Sequence, residues 1–384
     1  MPKVLRIINR FNLGGPTYNV AYLTKYLSPE FQTLLVGGAI DSAEKGSDHI
    51  LKELGIEPIL IPSMKRRINP VDDYFSFRQL KKIIKEFKPD IVHTHASKAG
   101  TIGRLAAISC KVPVVIHTFH GHVFHSYFGS WQTSAIKLIE RELAKRSTAI
   151  VAISEKQKEE LSRIHHIAKT EKIKVIPLGF DLDRFQNRQI EKRQSFRTTY
   201  QITGDEIAIG IIGRLVPVKN HNLFLDAIAY VVKNSSQKVK AFIIGDGEER
   251  QNILNRIENL QLNTVVTLTS WITEVDWAMA GMDIVCLSSF NEGTPVSLIE
   301  AQAANKAIVS TAVGGIENTV IRGSTALLSE VNDQKAYFDN LLSLVESKSI
   351  REFLASSGWN FVRDKFHYNR LVNDTRLLYR EMLM

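Results

Sequence analysis

The sequence predicts two doubly wound α/β domains, and three observations carry that prediction. Strand-like apolar runs alternate with helical stretches along the whole chain, as parallel sheets covered by helices require. The alternation restarts after a turn at Pro177-Leu178-Gly179-Phe180-Asp181 and a charged stretch, Gln186 to Arg197, that reads as a connector. The 384 residues suffice for two domains of ordinary size. Strands are expected near 3–8, 32–37, 58–61, 90–94, 113–118, 149–153 and 173–176, with helices over 17–27, 75–87 and 131–146. A second series follows near 207–212, 239–244, 265–269, 283–287 and 307–310, and 361–384 closes the chain as one or two helices. The expected division is 1–185, 186–360 and a closing segment 361–384, the domains facing each other across a cleft.

Composition narrows the class. Hydrophobic residues at 44% and charged residues at 23% describe a soluble globular protein. The opening strand is too short for a signal-peptide core, and no apolar run approaches the ~20 residues that span a bilayer. Cys110 and Cys286 lie beside or in apolar runs without redox or metal spacing, so buried thiols in a reducing cytosol are expected. The net charge of +9 is uneven: residues 1–190 hold 29 Lys/Arg against 18 Asp/Glu, while 191–384 hold 20 against 22. Lys65-Arg66-Arg67, Lys81, Lys82, Lys85 and Lys88, and Lys137, Arg141, Lys145 and Arg146 concentrate the surplus. That asymmetry suits a polyanionic or membrane-surface partner. No recognition motif supports a nucleic acid.

The most informative segment runs from Ser288 to Glu300. Thr294 is expected to cap a helix with Pro295 at its first position, where a missing N–H costs nothing. The free amides there suit an anion, with Glu292 and Gly293 just before them. Glu300 follows Pro295 by five residues, roughly 7.5 Å along the axis. One end can hold a diphosphate and its sugar, while the other accepts hydrogen bonds from a ribose diol.

Further loops point the same way. Gly14 and Gly15 sit at a strand-to-helix turn, where paired glycines let amides approach a phosphate closely. After the first strand of the second half come Gly213, Arg214 and Lys219, two cations suited to a diphosphate at the carboxyl end of a strand. Gly245-Asp246-Gly247 ends the next strand, and Val313-Gly314-Gly315 follows a later one. Six of the eleven histidines fall at 93, 95, 117, 120, 122 and 125. Zinc is the alternative there, but no carboxylate or cysteine accompanies them. Hydrogen bonding to hydroxyls at the strand tips is the expectation, with His120 best placed. Behind it Phe124, Tyr127, Phe128 and Trp131 suit an acceptor sugar, a bilayer surface or plain core packing.

In order and spacing this set closely resembles glycosyltransferase family four, the retaining transferases of GT-B fold, over nearly the whole chain. The runs at 93–100 and 118–124 resemble its branch that builds bacterial capsule, O-antigen and exopolysaccharide. The resemblance implies that Arg214 and Lys219 clamp the donor diphosphate without a metal or other cofactor, and that Glu300 takes the ribose hydroxyls. Glu292, with Gly293, Thr294 and Pro295, would hold the sugar of a nucleotide-sugar co-substrate. His120 would lie near the reacting sugar, and Gly14 and Gly15 would close over the phosphate. Gly213 and Gly245 would line the donor site, and the last helices would return to the first domain. UDP is the expected nucleotide, with GDP second. The acceptor would be lipid-linked or a glycan, met in the cytoplasm at the inner face of an anionic membrane. Ser270-Trp271 and Pro16 depart from the common pattern near the base and in the glycine loop. A sugar-nucleotide epimerase and a non-catalytic partner subunit are the competing readings.

Overall fold

The computed structural model describes residues 1–12, 15–39, 46, 48–65, 67–120 and 130–384, and the side chains of 48 and 130–132 lie outside that description. Gly14, Arg66, His122, Phe124, His125, Tyr127, Phe128 and the Trp131 side chain therefore lie outside the described residues. The chain divides into two compact units, Met1–Phe180 with Phe366–Met384, and Asp181–Lys365.

The first unit holds seven strands: β1 (Lys3–Arg10), β2 (Gln32–Gly38), β3 (Ile59–Leu60), β4 (Ile91–His95), β5 (Val114–Phe119), β6 (Ala149–Ala152) and β7 (Ile173–Val175). They form one parallel sheet in the order β3-β2-β1-β4-β5-β6-β7. Such strands are covered on both faces, which explains their near-continuous apolar runs. Along β1, Leu5 and Ile7 join the core beneath Leu80, Ile83 and Ile84, while Val4 joins the opposite core with Leu371 and Tyr379 of the closing helix Tyr368–Leu383. The helix expected from 75 begins earlier, at Pro70. Asn69 caps it, its Oδ1 accepting from Val71 N at 3.0 Å, and proline suits the first turn.

The second unit holds β8 (Ile207–Ile212), β9 (Val239–Ile244), β10 (Val266–Leu268), β11 (Ile284–Leu287), β12 (Ala307–Thr311) and β13 (Leu327–Ser329). They too are parallel, in the order β10-β9-β8-β11-β12-β13. Three-residue β13 is invisible to periodicity. Cys286 is buried in β11, but Cys110 is only half-buried at a helix end.

The connector expected at 186–197 is instead largely the helix Gln189–Thr199, part of the second unit. Its charge hides its anchors. Phe196 is fully buried against Phe242, Trp277 and Gly281, where an added Cβ would lie 2.1 Å from the ring. Arg193 and Arg197 both pair with Asp283, which also accepts from Ala208 N at 2.8 Å.

Candidate functional site

In the second unit the predicted loops leave the carboxyl ends of neighbouring strands β9, β8, β11 and β12, where open α/β sheets take ligands. Backbone bonds tie them together. Gly213 N donates to Ile244 O at 3.0 Å, Phe290 N to Val218 O at 2.8 Å, and Gly315 N to Glu292 O at 2.9 Å. The glycines make this closeness sterically feasible. A Cβ on Gly245 would sit 1.9 Å from Gly213 O, and one on Gly315 would sit 1.7 Å from Gly293 O. Gly314, at φ +57°, is likewise pressed against Glu292 O. Gly314 and Gly315 thus lie against the loop that carries Glu292, while Gly245 lies against Gly213.

Lys219 and Glu292, separated by 73 residues, form an ion pair of 2.5 Å, both side chains mostly buried. Ser289 Oγ donates to the same Oε1 at 2.6 Å, and Ser288 Oγ donates to Lys219 O at 3.0 Å. One carboxylate oxygen therefore carries both contacts, and Oε2 takes part in neither. Lys219 keeps two of its three N–H donors for another anion. Arg214 is exposed and pairs with no described carboxylate. An exposed cation thus stands in the loop after β8, the next strand to β11.

The helix after this loop differs from expectation. It spans Val296–Ala303, with Pro295 as the N-cap residue and Thr294 outside it. Thr294 makes no side-chain cap bond. Pro295 lies at φ −73° and ψ 95°, outside the helical region, so the helix starts one residue later than expected and its first amides stay uncapped by any side chain. Glu300 projects from the same helix. Its surface is partly accessible, yet dense packing around the carboxyl strips enough water to push it up to about 8, against the pull of Arg184 and with the push of Asp276. Asp276 is itself held by Arg184 Nε at 2.9 Å and Lys192 Nζ at 2.8 Å.

In the first unit Gly15 opens the helix Gly15–Tyr26, and its carbonyl accepts from Asn19 Nδ2 at 2.9 Å. The histidines of β4 and β5 do not face solvent as sugar donors. His93, His95 and His117 are buried, and burial holds each well below its ordinary value. His93 bonds Tyr379 Oη and Thr118 Oγ1, both at 2.7 Å, and His117 bonds Thr94 at 2.9 Å. His120, at the tip of β5, is half-buried, and desolvation pushes it down to about 4. Its Nε2 lies 2.9 Å from His95 Nδ1.

Two family models match the chain one after the other: "Glycosyltransferase Family 4" over residues 13–184 and "Glycosyl transferases group 1" over 192–358. The chain belongs to glycosyltransferase family 4. It is 28% identical over 331 residues to UDP-Gal:alpha-D-GlcNAc-diphosphoundecaprenol alpha-1,3-galactosyltransferase of Escherichia coli, covering 86% of this chain and 85% of that one. It is 27% identical to the capsular polysaccharide biosynthesis glycosyltransferase CapM of Staphylococcus aureus, covering 87% of each. Among solved structures, the fold matches Anabaena Alr3699/HepE in complex with UDP at a TM-score of 0.83 and 17% identity, over 99% of this chain and 100% of that one. Both units thus have the architecture of this glycosyltransferase family.

Several groups at the site carried no sequence signal. Ser289 sits in a loop where serine is common, yet it fixes one oxygen of Glu292. Asp276 and Arg184 lie 92 residues apart and meet beside Glu300. His221 opens the helix His221–Asn234, and burial followed by the charge of Lys219 holds it down at about 4. Only an expectation that polar groups near paired cations matter could have found it.

Proposed function

We propose that this glycosyltransferase moves a sugar, with retention, from a UDP-sugar to a lipid-linked or glycan acceptor in bacterial polysaccharide synthesis. The observation that supports this reading best is the Lys219–Glu292 pair beside the exposed Arg214. Arg214 and Lys219 would hold the diphosphate, with Gly213, Gly245 and Gly15 lining the phosphate path. Glu292 would grip the sugar through Oε2, with Gly293, Thr294 and Pro295 presenting backbone beside it, and Glu300 would take the ribose diol. His120 would lie near the reacting carbon. Gly14, outside the described residues, keeps its proposed place beside Gly15.

Transfer spreads positive charge over the anomeric carbon and negative charge onto the leaving phosphate, so fixed cations there favour the transition state over the ground state. The acceptor would attack from the face the phosphate leaves, and the phosphate would take its proton. The two named relatives support the donor and acceptor classes, since one uses UDP-Gal and a diphosphoundecaprenol acceptor and the other builds capsule. The test is transfer from UDP-sugars to a polyprenyl-diphosphate-linked sugar, run in EDTA, with the anomeric configuration read by NMR. Inverted product, or no product with any such pair, overturns the reading. A thermal-shift panel of UDP-, GDP- and ADP-sugars is expected to raise the melting point only with UDP compounds, because a ligand that binds only the folded state stabilises it by an amount that grows with the logarithm of its concentration over its Kd.

We also propose that the protein works at the inner membrane face. No helix among the described residues is long and apolar enough to cross a membrane. The helix Pro70–Phe87 instead exposes Val71, Tyr74 and Phe75 on the same side as Arg78, Lys82 and Lys85. Apolar tips beside cations suit an anionic bilayer surface. Flotation with anionic vesicles is expected to carry the protein upward at low salt, less at high salt, and less still after Tyr74→Ser with Phe75→Ser. Equal absence of binding at every salt concentration argues against it.

A further inference from the structure

The buried polar chain behind His120 runs in one direction. Arg6, fully buried, can only donate, and its Nη1 lies 3.2 Å from Tyr379 Oη. Tyr379 therefore accepts from Arg6 and has its own proton for His93 Nδ1 at 2.7 Å. A neutral His93 then carries its proton on Nε2, which donates to Thr118 Oγ1 at 2.7 Å. The Thr118 hydroxyl then has its own proton to donate onward. Thr118, His95 and His120 together line a cavity of about 10 Å³, the room one water needs. His95 Nε2 and His120 Nδ1 are both buried without a hydrogen-bond partner among the described residues. A Thr118 proton passed through that cavity to His95 Nε2 leaves the His95 proton on Nδ1, facing His120 Nε2 at 2.9 Å. Every bond in the chain then points away from Arg6, the arrangement in which successive hydrogen bonds strengthen one another.

We propose that His95 is a positioning residue that donates from Nδ1 to His120 Nε2 and so holds His120 as the Nδ1–H tautomer. This rests on the reading of His120 as the imidazole beside the reacting sugar. The sequence separates these residues widely, since Tyr379 lies in the closing helix, so the dependence of His120 on them cannot be read from spacing.

The test is nitrogen-15 NMR of the full chain with labelled histidine. His120 is expected to show a protonated Nδ1 and a bare Nε2 in the unmutated protein; the reverse pattern overturns the proposal without any variant. In His95→Leu the His120 pattern is expected to become mixed, and kcat to fall about tenfold or more while KM for the donor stays within about threefold. His95→Asn, whose amide can donate from nearly the same place, is expected to recover most of kcat. An unchanged tautomer and full turnover in His95→Leu, alongside an impaired His120→Ala, overturn the positioning role alone. Full turnover in His120→Ala overturns the reading of His120 itself.

Discussion

Replacing Arg214 or Lys219 with alanine is expected to lower transfer by about 10²-fold or more each, with Lys219→Ala the more severe. Either change removes a cation from the developing charge on the leaving phosphate. The effect should appear mainly in kcat, because the diphosphate is already anionic in the ground state and gains charge as the bond breaks. Lys219→Ala does more. It removes one of the two donors to Glu292 Oε1, leaving only the Ser289 hydroxyl on that oxygen among the described residues and a carboxylate unneutralised beside the phosphate. Like charges held close raise the cost of the ionised form. The double variant Lys219→Ala with Glu292→Gln is therefore expected to lose less than the sum of its parts, since neutralising Glu292 relieves that repulsion. Assays of donor hydrolysis and of transfer check this together; wild-type rates in both single variants would remove these cations from the mechanism.

The fold was largely readable because parallel strands covered on both faces write themselves as apolar runs, and β8 and β9 fall where those runs predict. The failures share a cause. The helix Gln189–Thr199 is held by one aromatic and two arginine–carboxylate pairs, so its sequence looks like a solvated connector. Thr294 followed by Pro295 matches a capping pattern, but the chain reaches its helical turn only at Val296. At the site, residue types could be named from spacing, whereas pairing could not. Spacing marks Lys219 and Glu292 as candidate ligand groups, yet their ion pair depends on the loops after β8 and β11 meeting. For His93 and His95, a place at a strand tip predicts hydrogen bonding to hydroxyls of a ligand. Alternation along β4 instead turns His93 and His95 into the core, to Tyr379 and to His120.

Glu300→Gln is expected to weaken UDP binding by roughly 10- to 100-fold while leaving the folded state as stable or more stable at pH 8. The two effects have one origin. A ribose diol donates to the ionised carboxylate, and hydrogen bonds to a charged acceptor are stronger than to an amide. Ionisation is costly there in the free protein, because desolvation holds this carboxyl up at about 8 against an ordinary 4.5. The folded state therefore keeps a proton that the unfolded chain releases, so this group's contribution to stability falls as pH rises from about 4.5 to about 8. Glutamine removes that loss. Binding of the diol favours the ionised form, so UDP uptake should release a proton below about pH 8, and affinity should rise with pH up to that point and then level. Calorimetry in buffers of different ionisation enthalpy measures the proton directly, and melting curves of both proteins across this range measure the stability. Affinity that is flat from pH 6 to 9 in the unmutated protein, or a Glu300→Gln variant that binds UDP as tightly, would place the ribose elsewhere.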